Sequence, residues 1–494
     1  MEEPANRTRE ASTARNILYA VLSGTLWLLA MISGSTGFGS AFIWIAFVPL
    51  IVAARERSRK TVLYFAISFC VGSGIYLALL SIQPWMYGFA VVFPLVLAGL
   101  TALMWRFACR SSHPSFRAVV MILFAMVLDW AVASTPVTAV ISPAITQAGT
   151  IFLAPAGLAG FPLVTGLIVT VNVLVYFMLF SRRRALILHA LIGAAVVCAV
   201  FAVAWLQPSW RYSGNSLRVS ALDSGMSPGG LHAPPEELAR ERTRLTVPEG
   251  LYWELTRQAE GEITVWPEKF YPRDLLAHPA DMEALKRATD KCMIVPFLSA
   301  GGNMAMPLTR DGFDKPYVKM RPAGIVGERG TGGTEQPVYT LEDRWRYGLL
   351  ICFDMHFEEY SRRLVQSGAE MVLVPSVANA LVNSMGWVKR TASVRAVETG
   401  VPFAVSTDIG AYVIDHRGKV IAESHGRTPT VVTGEVMPNS VGTFYTRGGC
   451  HVRWFFLALL VVLCALLVKP TGGRRDPPLR QNEIAQVSRP TPEV

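Results

Sequence analysis

The sequence predicts two kinds of structure in one chain: a membrane α-helical bundle, and an α/β domain standing outside the membrane. Three observations carry this. Of 494 residues, 51% are hydrophobic and only 17% are charged, against roughly a quarter charged in soluble domains. The apolar residues gather into long runs at both ends of the chain. Between them, residues 210–450 break into short apolar stretches separated by amphipathic ones, the pattern of strands and helices alternating around a largely buried sheet.

Runs long enough to cross a bilayer, about 17–25 residues each, fall at 16–33, 38–54, 61–82, 88–108, 117–134, 161–180 and 185–206, with one more at 453–469. Arg7, Arg9 and Arg15 precede the first run as they would in a signal peptide. No small-residue cleavage site and polar mature chain follow it, because a second run comes at once, so it reads as a retained helix.

The loops set the orientation. Basic residues cluster at Arg55, Arg57, Arg59 and Lys60, at Arg106, Arg110 and Arg117, at Arg182, Arg183 and Arg184, and at Lys469, Arg474 and Arg475. The alternate loops 34–37, 83–87 and 135–160 hold no Lys or Arg. Seven spans before the polar region and one after it put every basic loop on one side, and the positive-inside rule makes that side the cytoplasm. The expected organisation is therefore a bundle over 1–209, an extracytoplasmic domain over 210–450, a final span over 451–470 and a disordered cytoplasmic tail over 471–494. Segment 135–160, with Pro143, Pro155 and many small residues, reads either as a re-entrant stretch lining a cavity or as an ordinary external loop.

Composition also excludes function classes. The net charge of +10 lies in these short loop clusters and not along an extended stripe, so no nucleic-acid face is expected. Seven cysteines show no paired spacing, and Cys70, Cys109, Cys198 and Cys464 sit inside apolar runs. Neither a disulfide framework nor a zinc site is expected. The eight histidines show no ligand spacing, and no metal or other cofactor is implied. The glycine-rich run from Gly324 to Gly333 lacks the Lys-Ser/Thr ending of a phosphate loop and suits a mobile lid better.

Within 215–440 the expected strands are Leu217–Leu222, Ile263–Trp266, Met293–Leu298, Tyr347–Cys352, Met371–Pro375, Phe403–Thr407 and Tyr412–Asp415. The expected helices cover 235–260, 280–291, 357–368 and 385–399. Three places could do chemistry. Glu268 follows a strand in Thr264-Val265-Trp266-Pro267-Glu268, Lys319 interrupts the apolar Tyr317–Met320, and Cys352 ends the apolar Leu349-Leu350-Ile351-Cys352. A thiol between a strand end and a helix start, near a cation, is placed for thiolate formation. A carboxylate can take its proton and a lysine can steady an oxyanion. Each residue alone has a plainer reading: a strand-end cysteine is usually structural, and a lone Glu or Lys usually lies at a surface. Trp253, Phe270, Tyr271 and Trp345 are expected to pack in the core, and His356, one helical turn past Cys352, to point away from the thiol.

The order Pro-Glu, then Tyr-x-Lys, then Ile-Cys-x-acid resembles the nitrilase (carbon–nitrogen hydrolase) superfamily. Val374-Pro375-Ser376, Arg395-Ala396-Val397-Glu398 through Pro402, Ser406–Gly410 and Asp415–Val420 resemble its later core elements. The resemblance implies an αββα sandwich in which Glu268 is the general base, Lys319 the oxyanion-stabilising lysine, Cys352 the nucleophile and Glu328 a supporting carboxylate. The helices before and after the domain are similar to the apolipoprotein N-acyltransferase branch of that superfamily. So is Thr443-Phe444-Tyr445-Thr446-Arg447-Gly448-Gly449 ahead of the last span, and Thr146-Gln147-Ala148-Gly149 in the bundle.

That branch implies an acyltransferase of a bacterial inner membrane with its catalytic domain outside. Its acyl donor is a membrane phospholipid, its intermediate a cysteine thioester, and its acceptor the N-terminal diacylglyceryl-cysteine of a lipoprotein. The chain departs from the branch at Phe353-Asp354 (usually Tyr-Glu), at Ala378-Asn379-Ala380-Leu381, at Ala221–Ser224 and at Lys269-Phe270, where substrate contacts would fall. The alternative is a membrane-tethered amidase or nitrilase-type hydrolase with the same three residues and water as acceptor.

Overall fold

The computed structural model describes residues 4–468 apart from 34–37, 56–59, 81–83, 136–140, 181–183, 226–250, 325–327, 329, 378–385 and 425–427. Outside the described residues lie the tail 471–494, Arg57, Arg59, Arg182 and Arg183, most of the expected helix 235–260, part of the glycine-rich run and the Ala378–Leu381 departure.

Six described helices are long and apolar enough to cross a membrane: Ser12–Ile32, Thr61–Leu79, Met86–Ala108, Pro114–Ala133, Phe161–Phe180 and Arg184–Leu206. Two expected spans are shorter. The last helix, Val452–Val468, has 17 residues. The run at 38–54 is not one helix but a 3₁₀ turn at Gly39–Phe42 followed by Ile43–Ala46 and Val48–Ala54. Pro49 cannot donate to a continuous helix, and Asn172 repairs the break from the neighbouring helix. Its Oδ1 accepts from the Phe47 and Val48 N–H groups at 2.8 and 3.1 Å, and its Nδ2 donates to the Ile43 carbonyl at 3.1 Å. Segment 135–160 is irregular over its described part. Pro143–Gln147 and Ile151–Leu153 form 3₁₀ turns and Ala156–Ala159 one helical turn. Ala144, Ile145, Leu153 and Ala156 are buried in the core of the bundle. Gln147 ties this segment to the turn at Gly39–Phe42, its amide donating to the Ser40 carbonyl (3.0 Å) and its Oε1 accepting from the Trp44 indole (3.2 Å).

The polar half contains thirteen described strands in one curled mixed sheet. They are β1 (Leu217–Asp223), β2 (Ile263–Val265), β3 (Cys292–Ser299), β4 (Gly302–Thr309), β5 (Gly312–Phe313), β6 (Tyr317–Val318), β7 (Val338–Leu341), β8 (Trp345–Leu349), β9 (Met371–Pro375), β10 (Phe403–Thr407), β11 (Gly410–Ile414), β12 (Val420–Glu423) and β13 (Thr430–Val436). At its centre β1 runs parallel to β2 and β10 and antiparallel to β13. On one side β2 continues parallel to β3 and then antiparallel to β4; on the other, β10 continues parallel to β9 and β8. All residues of β2, β9 and β10 are buried, which is why β9 and the first half of β10 read as apolar runs. Trp253, Phe270, Tyr271 and Trp345 are buried core residues.

Helix Trp387–Thr399 is the seam between sheet and bundle, and Val388–Thr399, apart from its half-buried Lys389, are buried. Its Arg390 donates to the Met31 carbonyl at the end of the first span (2.6 Å), and Glu398 Oε1 accepts from the Phe161 N–H (2.8 Å). Arg395 pairs with Glu398 inside the same helix. Burial raises the Glu398 carboxyl to about 7 although Arg395 pulls it down.

Candidate active site

The parallel strands end at a common edge, and the chain's chemistry gathers there. Glu268 stands three residues past β2 and is 1% exposed. Its backbone N–H donates to the Ser376 carbonyl (3.1 Å), and its Oε2 accepts from the Val377 N–H (3.1 Å), so the turn after β9 holds both ends of the residue. Lys319, 2% exposed, follows β6 and is fixed by backbone bonds to Asn303 (2.8 Å) and Gly333 (2.9 Å). Its ammonium lies 2.9 Å from Glu268 Oε1 and 2.7 Å from Glu328 Oε2. Two carboxylates outweigh the cost of burial and hold the Lys319 ammonium charged, far above the ordinary lysine range. Burial works against the Glu328 carboxylate, but Lys319, the Ala323 N–H and Lys269 more than offset it and lower the group to about 2.

Cys352 does not end a strand. β8 stops at Leu349, and the thiol opens a 3₁₀ turn, Cys352–His356, with its own φ at +48°. Left-handed backbone in a residue other than glycine costs about 1 kcal/mol or more and persists only where its surroundings impose it. Asp354 imposes it here. It is fully buried, and its carboxylate accepts from Ile351 N–H (3.3 Å), Met320 N–H (3.1 Å), Arg321 N–H (2.8 Å) and the Tyr317 hydroxyl (2.7 Å). One side chain thus ties the cysteine turn to the strand segment that carries Lys319. Burial raises its carboxyl to about 6 against these donors.

The expected activation by a helix start is corrected: Cys352 opens a 3₁₀ turn, and the five residues 353–357 separate it from helix Glu358–Gln366. Burial, reinforced by the neighbouring Glu268 charge, pushes the Cys352 thiol up to about 12, and Lys319 only partly opposes this. The resting group is a thiol, and its Sγ points at the Val377 carbonyl, 3.7 Å away. The same residue, Val377, therefore meets Glu268 through its N–H and the thiol through its carbonyl. A thiol so raised needs a base at the moment of attack. Alkylation of Cys352 by iodoacetamide is expected to be slow at neutral pH and to climb without a plateau up to about pH 10. Glu268→Gln removes one upward contribution and is expected to speed that alkylation at pH 7. Peptide-resolved mass spectrometry reads both rates, and a faster native protein would discard this electrostatic picture.

Two contributors escaped sequence reasoning. Asn303 on β4 donates to Glu268 Oε1 (2.5 Å) and Glu328 Oε1 (2.8 Å), bridging the carboxylates that Lys319 also bridges. Lys269, with φ at +60°, lies 3.0 Å from Glu328 Oε1 and 3.8 Å from Glu268 Oε1. Asn303 had a signal, a lone amide in an apolar strand; Lys269 had only its place after Glu268. His356 stacks on Trp387 with ring centroids 4.4 Å apart and is held neutral, down to about 3, chiefly by burial. Among the described residues no group of His, Cys, Asp and Glu is arranged to hold a metal.

Residues 303–445 match the carbon-nitrogen hydrolase family model. An apolipoprotein N-acyltransferase of Geobacter metallireducens is 27% identical over 266 residues, covering 44% of this chain and 48% of that protein. One of Thermotoga maritima is 24% identical over 342 residues, covering 63% of this chain and 62% of that protein. The chain thus spans between about half and three fifths of the length of these curated relatives. Among solved structures, an amidase from Nesterenkonia sp. aligns over 48% of this chain and 99% of its own, at 17% identity and a TM-score of 0.34. With the family model on residues 303–445, those two relatives reaching beyond it and six described helices long and apolar enough to cross a membrane, the chain carries a carbon-nitrogen hydrolase region and is similar to apolipoprotein N-acyltransferases.

Proposed function

We propose that the protein is an N-acyltransferase that moves a fatty acyl chain from a membrane phospholipid to the N-terminal amine of a diacylglyceryl lipoprotein. Glu268 takes the Cys352 proton as the thiolate attacks the ester carbonyl. Lys319 and backbone N–H groups steady the oxyanion, with Glu328 holding Lys319 in line. Collapse breaks the ester C–O bond, Glu268 returns the proton to the departing lysophospholipid oxygen, and an acyl thioester remains. The acceptor amine then attacks the thioester, an amide forms, and the thiol regains a proton. The observation that carries this reading is that Val377 meets Glu268 through its N–H and Cys352 through its carbonyl, with the Lys319 ammonium 2.9 Å from Glu268.

The bundle over 1–209 and the final span at 451–470 keep the domain beside substrates that cannot leave the bilayer cheaply. The Arg-rich loops support a cytoplasmic face for the bundle's other end, hence an extracytoplasmic domain over 210–450 at a bacterial inner membrane. Incubation of the purified protein with acyl-labelled phospholipid and a diacylglyceryl lipopeptide tests it. Label is expected in an amide on the lipopeptide, read by mass. Release of all label as free fatty acid, with acceptor present, would replace transfer by hydrolysis.

A further inference from the structure

A second cavity lies inside the helical bundle, far along the chain from Cys352. It encloses about 340 Å³, and its wall is overwhelmingly apolar. It runs as a shaft between two unlike ends. At one end stands Asp129, buried, accepting from Ser142 (2.9 Å) and Thr165 (2.6 Å), beneath Pro143 of the short-turn segment. At the other stand Arg55 and Arg117, the first exposed and the second half-buried. Arg117 is pinned at that rim by bonds from its guanidinium to the Ser111 (2.8 Å) and Ser112 (3.1 Å) carbonyls. Tyr176 lines the shaft together with both arginines. This is the end of the bundle where the basic loops gather.

An apolar shaft of this kind takes hydrocarbon. Its occupant's polar head is selected by charge: the two arginines at one end attract an anion, and the buried Asp129 end offers it no cation among the described lining residues. We infer that the shaft binds one acyl chain of an anionic phospholipid, with the phosphate at Arg55 and Arg117. A membrane surface favours basic residues near anionic lipid by about 1 kcal/mol each, and guanidinium matches phosphate geometry. This site faces the opposite leaflet from the thiol and is independent of the acyl-transfer reading.

Native mass spectrometry of the full-length protein, released from nanodiscs holding equal amounts of phosphatidylglycerol and phosphatidylcholine with matched chains, tests it. The native protein is expected to retain the anionic lipid over the zwitterionic one by roughly fivefold or more. The pair Arg55→Gln and Arg117→Gln, both at the rim, is expected to bring the ratio to near one. Ala125→Trp, which fills the shaft wall, is expected to remove the retained lipid without touching the rim charges. Equal retention of both lipids by the native protein, a ratio that survives loss of both arginines, or lipid that survives Ala125→Trp would each overturn the inference. Cys352→Ala is expected to retain the same lipid; loss of it there would move the bound lipid to the thiol and overturn the inference while leaving acyl transfer standing.

Discussion

Cys352→Ala is expected to lose the acyl adduct altogether and to slow acyl transfer by on the order of 10⁴-fold or more, about 5.5 kcal/mol of transition-state stabilisation. The change is small in every other respect. The thiol is half-buried, and the hydrogen bond of its Sγ is a long one, to the Val377 carbonyl at 3.7 Å, so its removal costs stability only about 1 kcal/mol. A lost adduct in a protein with a near-native melting temperature therefore reports chemistry and not misfolding. The assay is a denaturing gel after incubation with acyl-labelled phospholipid. A labelled band persisting in the Ala variant would remove Cys352 from the mechanism.

Lys319→Met is the second large expectation, and it bears on stability as well as rate. The side chain is 2% exposed and lies between Glu268 and Glu328, which Asn303 already holds together. Without the ammonium two buried carboxylates face one another with only Lys269 as counter-charge, and breaking a buried pair from one side costs about 3–5 kcal/mol. Activity falls with it, since the oxyanion loses its cation. The pH dependence separates this from a general packing defect. Glu328 is lowered to about 2 in the folded protein, so its contribution is complete above about pH 4.5 and fades as pH falls toward 2. The native protein should lose stability across that window. The Met variant, already without most of this contribution, should lose less. Parallel melting curves for the two proteins between pH 5 and 3 would contradict the assignment.

How much of this was legible in the sequence depended on burial. Strand β9 is buried on both faces, and its residues form an unbroken apolar run that announces itself; β2 and β10 are as buried but are interrupted by Thr264, Ser406 and Thr407. The antiparallel strands were less visible. The turn between β3 and β4 is the pair Ala300-Gly301, and that signal was present; the turn between β7 and β8 was not, because Glu342 and Asp343 take left-handed backbone without a glycine to mark it. The site divides the same way. Glu268, Lys319 and Cys352 could be named from order and resemblance, and Asp354 was noticed only as a departure. Its work is to bind four donors from two separate stretches of chain, 317–321 and Ile351, which no local pattern encodes. The direction of the thiol's acidity was misread for the same reason: a strand-end cysteine before a helix suggests a thiolate, while the folded surroundings supply burial and the Glu268 charge.

Helix Trp387–Thr399 has a consequence for what the enzyme accepts. Arg390 on the Met31 carbonyl and Glu398 on the Phe161 N–H lock the sheet to the bundle at two points along one helix, so the domain cannot rock against the membrane. A thiol at a fixed height works as a depth gauge. Under the acyl-transfer reading, a carbonyl reacts if its own anchor in the bilayer brings it to that level, and an identical ester held higher or lower goes untouched. Selectivity among lipids then becomes a matter of vertical register, set by the thickness of the bilayer as much as by the chemistry of the headgroup.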